Sequence, residues 1–223
     1  MSEYIPQNPI LSVDVVPFVV STEGTLSLLL SQRLYEPYKG EWSLPGVLVV
    51  AGETLQEAGI RALNTKAHIS KETVSRLFRC NVYDSPYRDS RGPTISISYI
   101  AVFQESQLDE KIFRDNILLS LPIENQELPF DHVTIINDAV QFLSEHLMQE
   151  NGKLLWEILG EQFTTPMFVR LQQQINPSFN ITNAHRLLSL QPFLHRLGDK
   201  DPSRGKSPRF WSFAPEVQSH TLD

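Results

Sequence analysis

The chain has 223 residues, of which 41% are apolar and 20% are charged, and it carries a net charge of −7. This composition is that of an ordinary globular protein, with length for one sizeable domain or for a domain and a smaller partner. A single cysteine excludes an intramolecular disulfide and a pair of cysteine metal ligands, which favours a reducing, cytoplasmic location. No stretch has the roughly 18 apolar residues of a membrane span, and residues 1–10 lack the pattern of a secretory signal, so we expect no membrane partner.

The charge is distributed unevenly along the chain. Residues 1–150 carry 11 basic and 20 acidic residues, a net charge of −9, whereas residues 151–223 carry 8 basic and 6 acidic residues, a net charge of +2. From Thr165 to Phe213, 7 basic residues are set against 2 acidic ones. Such a change of sign suggests two units with different partners.

The first part of the chain alternates strands and helices. Leu11–Val20 and Leu26–Arg33 are predicted strands, joined by a turn that contains a glycine. After a loop with two prolines, Thr54 and Glu57 have the spacing of a capping box, which predicts a helix start there. This helix is expected to run to about Thr65.

Two further strands and a helix complete this part. Phe78–Tyr83 and Thr94–Phe103 are predicted strands, and in the second of them apolar residues alternate with a threonine and two serines. Residues 130–147 have apolar side chains at helical spacing. We therefore expect an α+β or α/β/α unit that ends near residue 149.

The second part is predicted to be mainly helical. A short helix covers residues 153–159, and a second begins with Thr165 as N-cap and Pro166 at the first helical position. A third helix covers residues 181–191, and residues 204–213 form a basic hairpin that ends in an aromatic strand. This order is typical of a winged helix-turn-helix, so we predict domains at 1–149 and 150–223.

The segment Ser43–Ser70 resembles the Nudix box, Gly-x5-Glu-x7-Arg-Glu-U-x-Glu-Glu-x-Gly-U, where U is apolar. The residues that match are Glu53, Arg61, Leu63 and Ile69, while Val47 and His68 stand at the two glycine positions. Three positions that hold metal-binding glutamates in the family are occupied by Ala62, Thr65 and Lys66. The resemblance implies the Nudix fold with a degenerate site.

This loss of carboxylates bears directly on the chemistry. Hydrolysis of a diphosphate by such a site needs hard cations with several oxygen ligands, and Lys66 would repel the metal that its counterpart binds. We therefore predict no catalytic residue, no metal and no cofactor, and thus no enzyme. Glu53 and Arg61 are expected to form a structural ion pair instead. The alternative is a hydrolase with displaced carboxylates at Glu53, Glu57 or Glu36.

Other segments resemble Nudix proteins that handle ADP-ribose-like molecules. They are residues 36–46 (EPYKGEWSLPG), 85–103 (SPYRDSRGPTISISYIAVF) and 128–143 (LPFDHVTIINDAVQFL). Arginine forks suit a diphosphate and aromatic rings can stack on a base, so the candidate ligand-binding residues are Arg33, Tyr38, Trp42, Arg88 and Arg91. A solvated loop charge, or for the aromatic residues a loop wall, is the alternative for each. His132 is expected to be a hydrogen-bonded structural histidine.

The second domain supplies candidate DNA contacts. Asparagine and arginine can contact adenine and guanine edges in the major groove, and the candidates on the third helix are Thr182, Asn183, His185, Arg186 and Ser189. Phosphate contacts are expected from Thr165, Arg170 and the wing cations Arg204, Lys206 and Arg209. A solvated helix face is the alternative for the helical residues.

Together the two parts resemble the Nudix-related transcriptional regulators. The fold class expected is α+β, with a Nudix-like α/β/α sandwich followed by a winged helix-turn-helix. The resemblance implies a homodimeric repressor of NAD metabolism that binds ADP-ribose or a related nucleotide and a roughly palindromic double-stranded operator. The run "ITNAHR" is less basic than the family's Lys-Arg-Asn-Phe-Arg-Arg and keeps only Asn183 and Arg186 of it, and the wing reads "GKSP" rather than Gly-Arg-Pro. A regulator of sugar catabolism and a protein-interaction module remain alternatives.

Overall fold

The computed structural model describes residues 8–123, 126–197 and 210–214. The chain divides into two compact units, the first of Met1–Val19 and Ser27–Ala139, the second of Val20–Leu26 and Val140–Asp223. The boundary after residue 149 stays a prediction. No helix in the described ranges has the length and apolar character needed to cross a membrane.

A seven-stranded sheet flanked by helices forms between residues 10 and 146. In chain order the elements are β1 (Ile10–Val20), β2 (Leu26–Gln32), β3 (Trp42–Ser43), β4 (Gly46–Leu48), α1 (Leu55–Ala67), β5 (Phe78–Tyr83), β6 (Thr94–Gln104), α2 (Glu110–Asp115), β7 (Asn116–Ser120) and α3 (His132–His146). The sheet has the order β3-β2-β1-β6-β5, with β4 paired to β1 and β7 paired to β2. The four predicted strands are confirmed, while β3, β4, α2 and β7 were not predicted.

The helix α1 begins and packs as its sequence dictates. The Thr54 hydroxyl accepts from the Glu57 N–H, and the Glu57 carboxylate accepts from the Thr54 N–H at 2.7 Å, so the predicted capping box is confirmed. The helix ends at His68, which adopts a left-handed conformation with φ 61°. Its buried face, which includes Ala62 and Leu63, joins β1 in one hydrophobic core.

Strand β6 is buried on both faces. Its predicted alternation places Ser96 and Ser98 on the face opposite to the apolar residues, yet both serines have no exposed surface. The Ser98 hydroxyl accepts from the Asn81 N–H at 3.1 Å, and the Ser96 hydroxyl donates to Asp14 at 2.6 Å. The polar face of this strand is therefore satisfied inside the protein.

The elements after α3 form a second, smaller fold. They are α4 (Lys153–Leu159), β8 (Gln162–Thr164), α5 (Thr165–Ile175), α6 (Ala184–Ser189), β9 (Leu194–Arg196) and β10 (Phe210–Phe213). β10 pairs antiparallel with both β8 and β9. Three helices and a small antiparallel sheet, whose first strand β8 lies between α4 and α5, are the architecture of a winged helix, as predicted.

Two details of this unit correct the sequence-based expectation. The N-cap of α5 is Thr164 rather than Thr165, because the Thr164 hydroxyl accepts from the Met167 N–H at 3.4 Å. The third helix is shorter than residues 181–191, since Ile181–Asn183 form a 3₁₀ turn before α6. The helix α5 packs through Phe168 and Leu171, which are fully buried.

Candidate functional site

A cleft of about 410 Å³ opens in the first unit between β1, β2, α1 and the loops around residues 34–36, 43–50, 88–91 and 130–132. Its cationic lining residues are Arg33, Arg61, Lys66, Arg88 and Arg91, and its carboxylates are Asp14, Glu36 and Asp89. Cations therefore outnumber carboxylates here, although residues 1–150 carry almost twice as many acidic as basic residues. This local reversal of charge suits an anionic ligand.

Arg88 is the centre of a buried ion network at the base of the cleft. Its side chain is 4% exposed, and its Nε and Nη2 donate to the two oxygens of Asp131 at 2.9 and 2.7 Å. Nη2 also lies 3.3 Å from Asp14 Oδ2, the oxygen that accepts from Ser96. Burial alone would lower the pKa of Arg88, but the bonds to Asp131 and Asp14 raise it. The fork predicted to bind a diphosphate is thus occupied by Asp131.

His132 lies beside this network and is held in its neutral form. The Leu44 N–H donates to Nδ1 at 3.1 Å, so the ring proton belongs on Nε2, which lies 3.8 Å from Asp14 Oδ1. Complete burial lowers the pKa of His132. The prediction of a hydrogen-bonded structural histidine is confirmed, and the ring supports the cleft wall at Leu44.

Two arginines share the ring of Phe130 at one side of the cleft. The guanidinium carbons of Arg33 and Arg91 lie 4.7 and 5.8 Å from its centroid. Arg91 binds Asp89 at 2.6 Å, and Arg33 donates through Nε to the Pro37 carbonyl at 2.8 Å. Burial, reinforced by the neighbouring Arg91 charge, lowers the pKa of Arg33.

The two aromatic candidates lie at the margin of the cleft. Tyr38 packs edge-on against Phe130, with ring centroids 5.0 Å apart. Trp42 lies half-buried in β3, next to the lining residue Ser43. The cleft lining thus contains Arg33, Arg88 and Arg91 of the predicted set but neither of these two residues, and a ligand contact from Tyr38 or Trp42 stays a prediction.

The three substituted box positions differ in what they present to the cleft. Ala62 is fully buried in the hydrophobic core, and the Thr65 hydroxyl donates to the Arg61 carbonyl at 2.7 Å. Lys66 lines the cleft, with Nζ 5.8 Å from the centroid of the Tyr35 ring. An aliphatic, a hydroxyl and an ammonium group do not fit Mg²⁺, which prefers carboxylate oxygens. Across the described ranges, no three His, Cys, Asp or Glu side chains come together as metal ligands.

Glu53 and Arg61 form the predicted structural ion pair. Arg61 Nη2 and Nε donate to the Glu53 carboxylate at 2.6 and 3.0 Å, and Nη2 also donates to the Leu48 carbonyl at 2.7 Å. The Val50 N–H donates to Glu53 Oε1 at 2.8 Å. Hydrogen bonds from Arg61 and Val50 lower the pKa of Glu53. The pair therefore joins α1 to the loop that enters it.

In the second unit, the predicted recognition residues lie together on one exposed surface. Thr182, Asn183, His185, Arg186 and Ser189 are all exposed. Their neighbours Ala184 and Leu188 are buried, so α6 packs through these two residues. Asn183 is the N-cap of α6 but forms no capping bond there through its side chain. Base contact by these side chains stays a prediction.

The residues predicted to contact phosphates have different environments. The Thr165 hydroxyl accepts from Trp211 Nε1 at 2.9 Å. Arg170 is exposed, and its Nη1 donates to the carbonyl and carboxylate of Glu23 at 2.5 and 3.2 Å. The wing cations Arg204, Lys206 and Arg209 lie outside the described residues, so their role stays a prediction.

Sequence reasoning missed three residues of the Arg88 network: Asp14, Ser96 and Asp131. Asp14 had a detectable signal, because it is a lone acid inside the apolar run Leu11–Val20, and a buried charge requires a partner. The sequence offered no comparable signal for Ser96 and Asp131.

Comparison with known proteins finds two related sequences, whereas no family model matches the chain. The ADP-ribose pyrophosphatase of Methanocaldococcus jannaschii is 34% identical over 139 residues, which cover 60% of this chain and 75% of that enzyme. The ADPR-responsive transcriptional repressor NtrR of Acinetobacter baylyi is 25% identical over 181 residues, 75% of this chain. That second match spans 64% of the repressor, which is less than two thirds of its length.

The fold of this chain is similar to that of solved structures over nearly its whole length. Shewanella oneidensis NrtR in complex with a 27mer DNA superimposes with a TM-score of 0.73 at 23% identity, covering 94% of this chain and 95% of that chain. The Nudix domain of the same protein, crystallised with ADP-ribose, has a TM-score of 0.52 at 24% identity and covers 64% of this chain and 95% of that chain. The predicted fold, a Nudix sandwich followed by a winged helix, is thus confirmed. The chain belongs to the Nudix family, as the match to the M. jannaschii enzyme shows.

Proposed function

We propose that this protein is a DNA-binding transcriptional repressor that responds to ADP-ribose, or to a closely related nucleotide, through a Nudix domain that binds this ligand without hydrolysing it. One observation carries the proposal. A single chain combines a cleft rich in cations, whose metal-ligand positions hold Ala62, Thr65 and Lys66, with a winged helix that exposes polar side chains. The first part suits an anionic ligand, and the second suits the major groove.

The absence of hydrolysis follows from the chemistry of the box positions. A metal-dependent attack on a diphosphate needs carboxylates to hold the cation and to orient the water. Ala62 is buried in the core and Lys66 brings a positive charge to the cleft. Of the displaced carboxylates that a hydrolase would use, Glu53 and Glu57 are bonded to Arg61 and to the start of α1, whereas Glu36 lines the cleft.

The relatives support both halves of the proposal. NrtR was crystallised with DNA and its Nudix domain with ADP-ribose, and NtrR is named as a repressor that responds to ADPR. ADP-ribose is the part of NAD that remains when nicotinamide is removed, so a sensor of it reports on NAD turnover. We therefore propose NAD metabolism as the regulated process, with sugar catabolism as the alternative, and a cytoplasmic location where the operator DNA is accessible.

A homodimer is the assembly that fits this role. Three large apolar side chains, Ile10, Leu48 and Val50, are exposed, and the antiparallel pairing of Ser12 with Leu48 brings them to one face of β1 and β4. Exposed apolar side chains grouped in this way mark an interaction site. A two-fold dimer would present two winged helices to a roughly palindromic operator.

Regulation requires that the ligand distinguish two states of this dimer. A ligand shifts DNA affinity only to the extent that it binds the DNA-competent and DNA-free arrangements unequally. Coupling between such sites is typically about 1–3 kcal/mol, so ADP-ribose should change operator affinity by roughly 5- to 150-fold.

The test combines DNA binding and hydrolysis in the same sample. Fluorescence anisotropy is measured with duplexes from the gene's own upstream region and from NAD-synthesis promoters, with and without ADP-ribose, at two salt concentrations. We expect sequence-specific, salt-sensitive binding that ADP-ribose weakens while the ligand is recovered intact. The absence of any specific duplex, or binding that ADP-ribose leaves unchanged, would contradict the proposal.

The second candidate function is hydrolysis of ADP-ribose. The observation in its favour is the 34% identity to the pyrophosphatase of M. jannaschii over 139 residues. Chromatography of ADP-ribose incubated with the protein and Mg²⁺ or Mn²⁺ separates the two functions. Steady release of AMP and ribose phosphate without DNA binding would establish the hydrolase.

A further inference from the structure

The cationic side chains of the cleft fall into two groups according to their partners. Arg61, Arg88 and Arg91 each bind a carboxylate at 2.6 or 2.7 Å. Arg33 and Lys66 line the same cleft but form no ion pair with a carboxylate among the described residues. Each is instead placed over an aromatic ring, Arg33 over Phe130 and Lys66 over Tyr35. Their charges are therefore available to a ligand.

Lys66 stands where a Nudix hydrolase has a metal-binding glutamate. Of the three substituted positions, Ala62 faces the core and Thr65 is bonded to its own helix, so Lys66 is the one that brings a positive charge to the cleft. A glutamate with one bound Mg²⁺ has a net charge of +1, and a lysine ammonium has the same charge without the metal. The ammonium also offers three donors to phosphate oxygens. A direct ion pair can thus replace a metal bridge.

We infer that Lys66, together with Arg33, binds the diphosphate of the ligand directly in the place of a magnesium ion, so that effector binding needs no divalent cation. This inference rests on the proposed function, since it takes the effector to carry a diphosphate. The same substitution disfavours catalysis, because the ammonium neutralises the phosphate without binding a nucleophilic water. One side chain therefore accounts for both binding and lack of turnover.

The experiment is isothermal titration calorimetry on the full chain with ADP-ribose, in excess EDTA and in excess MgCl₂. Inorganic pyrophosphate is titrated in EDTA alone, because Mg²⁺ binds it in solution. The variants are Lys66→Gln and Lys66→Glu, and the matched control is Lys71→Gln, which removes an exposed lysine outside the cleft. The melting temperature of each variant verifies that it folds.

We expect the wild-type Kd for ADP-ribose to agree within about twofold in EDTA and in MgCl₂. Loss of a charge-assisted hydrogen bond should weaken binding of both ligands by roughly 10- to 100-fold in Lys66→Gln. Lys66→Glu should bind more weakly still in EDTA, and Lys71→Gln should match wild type.

Wild-type affinity that falls tenfold or more on removal of Mg²⁺ would overturn the inference, as would Lys66→Gln binding equal to wild type. The wild-type comparison needs no variant, so misfolding of a variant cannot obscure it. Failure of both ligands to bind in EDTA would also overturn it. If ADP-ribose binds only with Mg²⁺ yet still alters operator binding, the inference fails and the proposed function stands. If ADP-ribose binds in a Lys66-dependent manner but the protein binds no duplex specifically, the proposed function fails and the inference stands.

Discussion

Acidification should destabilise the first unit through one buried histidine. The Leu44 N–H donates to His132 Nδ1 at 3.1 Å, so a proton added there would place two donors against each other. His132 is 2% exposed, and burial lowers its pKa from the ordinary value of 6.5. Below pH 6.5 the unfolded chain therefore takes up a proton at this residue that the folded chain does not.

The size of the effect follows from proton linkage. While the unfolded state alone binds the extra proton, the free energy of unfolding falls by up to about 1.4 kcal/mol for each pH unit. Integrated from pH 8 to pH 5 with an unfolded pKa near 6.5, the loss is at most about 2 kcal/mol. Typical domains are stable by about 5–15 kcal/mol, so this loss is readily measured. At pH values below the lowered pKa of folded His132, both states bind the proton, and the free energy of unfolding no longer changes through this residue.

The assay is urea-induced unfolding of the full chain, followed by circular dichroism between pH 8 and pH 5. The His132→Gln variant keeps a possible acceptor for Leu44 but cannot titrate, so the wild-type minus variant difference isolates this histidine. His68→Asn is the matched control, because it removes an exposed histidine and asparagine tolerates the left-handed backbone there, and its curve should follow wild type.

Two results would refute this reasoning. One is a wild-type minus His132→Gln difference that stays flat from pH 8 to pH 5. The other is an NMR resonance of the His132 ring that titrates near pH 6.5 in the folded protein. Either result would mean that the Leu44 bond does not fix the neutral ring, and that the cleft wall opens to solvent.

Three further predictions concern ion pairs, DNA contact and assembly. Arg88→Met should lower the free energy of unfolding by about 3 kcal/mol or more, because two carboxylates lose their buried partner. Arg170→Gln should cost less than about 1 kcal/mol, because Arg170 and its partner Glu23 are both exposed, at 43% and 76%; equal costs in urea unfolding at pH 7 would contradict the network. Arg186→Ala should weaken specific duplex binding by about 1–3 kcal/mol in anisotropy without changing ADP-ribose affinity. Val50→Glu should yield a monomer in sedimentation velocity, and Val82→Glu, similarly exposed at 53% against 54%, should stay dimeric.

The elements that were predicted correctly are those whose sequence pattern lies within one short segment of the chain. β5 coincides with the predicted strand Phe78–Tyr83, and the Thr54 capping box marks the start of α1. The elements that were missed depend on partners elsewhere in the chain. β3 has two residues and β4 has three, which are too few to show a period, and they form because β2 and β1 offer pairing edges.

At the candidate site, residue types could be predicted but their pairing could not. The sequence indicated Arg88 as an anion-binding fork, and its chemistry is that of a fork, but the carboxylate it holds belongs to Asp131, 43 residues away, and Asp14 lies 74 residues away. From the sequence one can predict that Asp14, as a buried charge, needs a partner, but not which residue this partner is. Arg33 and Lys66, which have no carboxylate partner in the part of the chain that the structure describes, were distinguished from the other cations only by the folded geometry.

The two box positions that keep the family's charged residues are those that shape the loop. Glu53 binds Arg61 and the Val50 amide, while Arg61 also binds the Leu48 carbonyl, so the pair fixes the backbone from β4 to α1. Glu53→Gln should therefore lower the melting temperature by a few degrees, because an amide cannot accept at both of its ends. The pKa of Glu53 is lowered, so this stability is present above the unfolded value of about 4.3 and is lost as the pH falls through the folded value. Scanning calorimetry should show the difference at pH 7 and a smaller difference as the pH falls below about 4.3, and an unchanged melting temperature at pH 7 would mean that the loop is held by other contacts.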